Sequence, residues 1–352
     1  MSIRAVTLAL AGAASLAALP ARAEPPQVAA DIAPVHSLVA QVMAGVGTPE
    51  LIVRPGASPH GYALRPSEAG ALQDADLVVW IGPELTPWLD RSLDTLAPEA
   101  ARLALLAQDE TRTRPFRTGA TFAAHDHGAE EDAHGNGHEE HGHEDHESGE
   151  HESGEHEDAE HGHDDHAHDE EHAHDEDHAH DHTGTDPHAW LDPANGKAWL
   201  DVIAAELSRA DPGNAGTYLS NAADAKAEID ATVAEIEARL DGMGDLSFVV
   251  FHDAYQYFEA RFGLSAAGAI SLSDATDPSP ARIAELREIV AARGIDCAFA
   301  EPQFDPGVLE AVFSGTEAEV SVIDPMGTEI TPGPDFYPAL LRSVADSFAR
   351  CG

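Results

Sequence analysis

The chain reads as an α/β protein of two lobes with mostly parallel sheets, joined by one long rigid helix. Two observations predict this. Short apolar runs alternate with helical stretches in two separate series. Between the series lies an uninterrupted helical stretch from about Ala215 to Leu240. At 1.5 Å per residue it spans roughly 40 Å, long enough to connect two compact bodies.

In the first series, Val28 to Ile32 and Leu51 to Val53 read as strands, with a helix from about His36 to Ala44 between them. Pro66-Ser67-Glu68 opens a helix, with Ser67 as the expected cap. Leu77 to Ile81 is continuously apolar, as a strand buried on both faces must be. A helix over Leu85 to Leu96 and a strand over Arg102 to Leu106 follow. A helix from about Asn195 to Ala210 ends at Asp211-Pro212-Gly213, ahead of the long helix. The second series has strands at Phe248–Phe251, Cys297–Ala300 and Val320–Ile323. Helices are expected over Asp253–Phe262, Ser279–Arg293, Val308–Ser314 and Phe336–Ala349. The lobes are therefore expected at 24–212 and 243–352, with the connector at 213–242.

The ends and the charge add constraints. Arg4, the apolar run Ala5–Leu19 and Ala21-Arg22-Ala23 form a secretory signal with an A-x-A cleavage site after Ala23. No Cys follows the run to carry a lipid, and no other segment is apolar enough to insert in a membrane. The 352 residues carry a formal net charge of -45. Residues 123–183 hold 24 Asp/Glu and 18 His but no Lys or Arg; without those 24 carboxylates the net charge falls to -21. Such a segment has too little apolar surface to fold and reads as a disordered loop. The acidity excludes nucleic acid and anionic lipid as partners and suits a cation. Cys297 and Cys351 are the chain's two cysteines. In an oxidising compartment such a pair bonds, stabilising by about 3–4 kcal/mol for a loop of this length; two buried thiols are the alternative.

Of the 22 histidines, four lie outside the acidic segment: His36, His60, His188 and His252. His36 follows Pro34-Val35 at a helix start and is assigned to structure. The other three follow strands or Pro-containing turns, where ligand sites of α/β sheets lie. Asp324 follows the strand at Val320–Ile323. Three imidazoles and a carboxylate suit Zn²⁺. Pro59, Pro187 and Pro325 stiffen the turns carrying His60, His188 and Asp324. Taken singly, each residue also has a plain structural role: solvated loop, turn cap, helix-start neighbour or turn former.

Five strings recur together in one family. Pro55-Gly56-Ala57-Ser58-Pro59-His60 with Arg65-Pro66-Ser67 resembles the first-ligand region of the metal-binding solute receptors of ABC importers. Asp186-Pro187-His188-Ala189-Trp190 resembles their second motif, Phe251-His252-Asp253-Ala254-Tyr255 the third and Asp324-Pro325-Met326-Gly327 the fourth. Glu301-Pro302-Gln303-Phe304 is also a string of that family. The order is correct and the matches cover the mature chain. The resemblance is closest to the zinc-specific, ZnuA-type branch. His252 stands where manganese receptors carry a carboxylate, and the acidic His-rich loop and the cysteine pair also fit that branch. Pro59 departs from receptors with an acidic residue before the first His, which leaves the fourth position to Asp324 or a water.

The resemblance implies a monomeric periplasmic receptor that captures Zn²⁺ as cargo between its lobes, moves little on release, and delivers it to an inner-membrane permease with its ATPase. It implies no catalysis. The loop, ending six residues before His188, is expected to hold zinc weakly and raise its local concentration. The competing readings are a zinc-dependent hydrolase, a periplasmic zinc buffer or chaperone, and a manganese receptor of the same fold. No H-E-x-x-H occurs, and Glu259 is the nearest candidate base.

Overall fold

The computed structural model describes residues 24–117, 122, 184–271, 280–303, 307, 312–316 and 318–351. The expected signal segment, the acidic loop and most of the helix expected at 308–314 lie outside the described residues. Two four-stranded parallel sheets organise the chain. The first holds β1 (Val28–Ala30), β2 (Glu50–Leu51), β3 (Leu77–Trp80) and β4 (Ala101–Ala104), in the order β2-β1-β3-β4. The second holds β5 (Phe248–His252), β6 (Gly268–Ser271), β7 (Cys297–Ala300) and β8 (Glu319–Val322), in the order β6-β5-β7-β8. The two orders are equivalent, so β1 and β5 occupy matching places. β3 and β5 are buried throughout, which is why their sequences are continuous apolar runs rather than alternating ones.

Around the first sheet lie α1 (Ala33–Val42), α2 (Pro66–Gln73) and α3 (Pro87–Leu96); α4 (Pro193–Ala210) and α5 (Ala215–Arg239) follow. α6 (Gln256–Phe262), α7 (Pro280–Arg293) and α8 (Phe336–Cys351) accompany the second sheet. Every residue of α1 is buried. Ile52, Leu72, Val78, Trp80, Leu89 and Leu93 form a smaller core between the first sheet and α2 and α3. The main core instead joins both sheets: Val79, Leu200, Tyr218, Ile229, Val250, Phe258 and Leu340 belong to one cluster. α5, 25 residues and about 37 Å long, packs along α4, α1 and α8, so it supports both lobes along its length.

Two local readings need correction. The cap of α2 is Arg65, not Ser67: Glu68 accepts from the Arg65 N–H at 2.7 Å and Pro66 fills the first helical position. β6 is a strand that sequence reasoning passed over, because Gly-Ala-Ile-Ser has too few large apolar residues to stand out. The cysteine pair is bonded, with Cα atoms 6.1 Å apart, and ties the end of α8 to the start of β7.

Candidate metal centre

Each histidine is delivered by a backbone feature built locally. His60 lies on the connection from β2 to α2, where Gly56 turns the chain at φ 80°. The Trp88 indole N–H on α3 donates to the Pro59 carbonyl at 2.7 Å and pins this loop. Below it, Arg54 and the Tyr62 hydroxyl both donate to Glu68. His188 precedes a short 3₁₀ turn, Ala189–Leu191. Asp186 accepts from both its backbone N–H (2.9 Å) and its Nδ1 (2.7 Å). His252 is the last residue of β5. Its Nδ1 faces Glu301 Oε1 at 2.6 Å. β5 pairs with β7 in a register that sets Val250 beside Phe299, so Glu301 stands beside His252 just past the strand end.

These three imidazoles line one small cavity with Pro59, Trp190, Gln303, Pro325 and Met326. Ring centroids are 5.7 Å apart for His60 and His188, and 5.2 Å for His188 and His252. The Nε2 atoms of His188 and His252 lie 3.4 Å apart. Neighbouring ligands of tetrahedral Zn²⁺, with Zn–N bonds of about 2.0–2.1 Å, stand about 3.3–3.4 Å apart. The tautomers follow from the partners. A carboxylate at each Nδ1 takes the ring N–H, leaving both Nε2 atoms as lone-pair acceptors that face each other. Two such lone pairs repel unless a cation or proton stands between them.

Asp324 is placed differently. Its Oδ1 accepts from the N–H groups of Met326 and Gly327, both at 2.9 Å, and its Oδ2 from the N–H (2.6 Å) and hydroxyl (2.7 Å) of Thr328. Pro325 and Met326 line the cavity and Asp324 does not. His36 sits in α1 with Nε2 3.1 Å from the Pro49 carbonyl, and burial lowers its pKa. It too lies off the cavity wall.

The carboxylates behind His188 and His252 are not singled out by the sequence. The signal for Asp186 is its D-x-H spacing; for Glu301 it is a strand end in register with His252. Burial pushes Asp186 up to about 6, against the His188 N–H, the Gln256 amide and the Arg117 charge, which favour its ionised form. Gln256 and the Tyr257 hydroxyl, both on α6, hold Asp186 from the second lobe. A second tie lies beside it. Arg117, mostly buried and over the Phe122 ring, pairs with Asp253 and Glu259. Burial pushes Asp253 up to about 6 against that guanidinium.

Two parallel-sheet lobes sharing one core, with imidazoles converging beyond strand ends, describe the class of two-lobed solute receptors with a metal cleft. The family model of the periplasmic zinc-uptake complex component A, ZnuA, matches residues 28–351, and the chain belongs to that family. It is 48% identical over 350 residues to the high-affinity zinc uptake system protein ZnuA of Paracoccus denitrificans, covering 99% of this chain and 98% of that protein. The protein of the same name from Brucella abortus is 44% identical over 325 residues, covering 92% and 91%. The solved periplasmic zinc-binding protein TroA of Treponema pallidum shares the fold at 16% identity, with a TM-score of 0.64 over 93% of this chain and 99% of its own length. The family is one of periplasmic uptake receptors rather than enzymes, and the hydrolase reading falls with it. Among the described residues, no helix is long and apolar enough to cross a membrane.

Proposed function

We propose that this protein captures one Zn²⁺ in the periplasm through His60, His188 and His252 and delivers it to a membrane importer made of a permease and its ATPase. The observation that carries this reading is the pair of Nε2 lone pairs 3.4 Å apart, each ring locked from behind by a carboxylate. Such a pair is preorganised for a soft-tolerant cation and loses little entropy on binding it. A set dominated by imidazole favours zinc over manganese. The chain works as a monomer after cleavage at Ala23, since one copy supplies all three rings. Its 18 histidines at 123–183 act as weak accessory ligands that raise the local zinc concentration.

The test is a zinc titration with chelator competition on the mature protein and on His60→Ala and His188→Ala. The expected result is one tight site, weakened at least a hundredfold in each variant, with weaker sites untouched. An unchanged tight site in both variants would assign tight binding to the acidic segment instead. Deleting that segment should slow zinc uptake only when zinc is scarce; unaltered uptake under chelation would remove its accessory role.

A further inference from the structure

A second cavity, apart from the zinc site, opens where the stretch before the acidic segment meets α6. Its volume is about 360 Å³, and Arg112, Thr113, Arg114, Asp192 and Arg261 are on its wall. It shares no residue with the cavity of the three imidazoles. The chain has only 19 Lys and Arg against 64 Asp and Glu. Three of those cations stand together here, and like charges brought together repel unless an anion or solvent screens them. The protein's own carboxylates do little of that screening. Among the described residues, Asp192 is the one carboxylate on the wall, and it caps α4 by accepting from the Ala194 N–H at 2.9 Å. Arg261 meets the exposed Glu237 at 3.5 Å. Among the described residues, Arg112 and Arg114 are in no ion pair.

The backbone that displays them is held from two sides. Asn195 of α4 accepts from the Arg112 N–H at 2.8 Å and donates to the Arg112 carbonyl at 3.0 Å. The Tyr257 hydroxyl of α6 accepts from the Arg114 N–H at 2.8 Å, and the Arg114 carbonyl accepts from the Asp186 N–H at 2.8 Å. Gln256 donates to the Pro115 carbonyl at 3.0 Å. The Arg114 guanidinium itself stands over the Tyr257 ring, 5.9 Å from its centre. A ligand therefore meets cations on a fixed frame and orders little backbone on binding.

We propose that this cavity binds a small anion bearing two or three carboxylates. A guanidinium presents paired N–H donors that match a carboxylate, so several on one wall match several carboxylates of one molecule. At roughly 30 Å³ per water the cavity has room for about twelve waters. That exceeds what acetate or inorganic phosphate fills and accommodates a six-carbon acid. The charge of -21 outside the acidic segment repels extended polyanions, whereas three guanidinium groups in one recess attract a small one locally.

The probes are citrate and tricarballylate, titrated by calorimetry into the metal-free mature protein at low ionic strength, with acetate and inorganic phosphate as controls. The expected result is one saturable site for both tricarboxylates, about tenfold tighter than for either control. Arg112→Gln and Arg114→Gln should each weaken it about tenfold, as loss of a charged hydrogen-bond donor does, and the double variant should abolish it. Arg112 is exposed and Arg114 half-buried, so these variants should melt within a few degrees of the parent. His60→Ala should bind the tricarboxylates as the parent does, which separates this site from the zinc site. No saturable binding, binding that survives in the double variant or vanishes in His60→Ala, or phosphate bound as tightly as citrate would overturn the proposal.

Discussion

At His252 the ring is fixed at both ends: Nδ1 is held by Glu301 and Nε2 looks across at His188. His188 repeats the device with Asp186. Outer partners of this kind set ring orientation and basicity, and losing one typically costs about 10–100-fold in metal affinity. Glu301→Gln keeps the shape and an acceptor but drops the charge, so zinc affinity should fall about tenfold while the metal-free protein melts within a few degrees of the parent. A chelator-competition titration with a melting curve checks both. Unchanged affinity would reduce Glu301 to a packing residue.

Among the elements, α4 and α8 meet at a point where size decides. A Cβ on Gly196 would stand 2.5 Å from the Tyr337 hydroxyl, and Tyr337 is buried. The glycine lets that hydroxyl reach the Trp190 carbonyl at 2.7 Å, next to His188. Gly196→Ala would gain roughly 1 kcal/mol of helix propensity, but overpacking against a fixed ring costs about 1–3 kcal/mol. Net destabilisation with weaker zinc binding is expected, measured by denaturation and competition. Between β1 and β3, Asp31 accepts from Ile32 and Ile81 while fully buried, and burial pushes it up to about 7 from 3.8. The folded state therefore binds more protons than the unfolded one between about pH 4 and 7, and stability falls as pH rises through that window. Asp31→Asn should flatten this slope, by a few kcal/mol at most over the window, when metal-free protein is unfolded in urea at pH 5 and pH 7.5. Parallel slopes for variant and parent would contradict the assignment.

For the whole molecule, the shared core has a thermodynamic consequence. Val79 of the first sheet and Val250 of the second lie in one cluster with α5 and α8. The lobes should unfold together, giving one calorimetric transition that zinc moves upward by mass action. Two resolved transitions would mean lobes that are thermodynamically independent. The sequence made the alternating layers and the long α5 legible, because periodicity is a local signal, and it marked the three histidines that line one cavity only through the motifs that carry them. What it hid is non-local. Glu301 orients His252 across 49 residues, and Arg117 bridges to Glu259 across 142. Asp324 is drawn into its own turn by Gly327 at φ 63°, where a Cβ would stand 2.8 Å from Phe336. Neither the register of β5 on β7 nor the geometry of that turn can be read from spacing alone.

Three imidazoles from across the fold are proposed to hold one zinc ion through their Nε2 atoms. Anomalous diffraction at the zinc edge, from crystals of the loaded mature protein, tests it most directly. One strong peak is expected about 2.0–2.1 Å from Nε2 of His60, His188 and His252. A peak bound through Nδ1, or one lying elsewhere with this cavity lacking zinc, would contradict it.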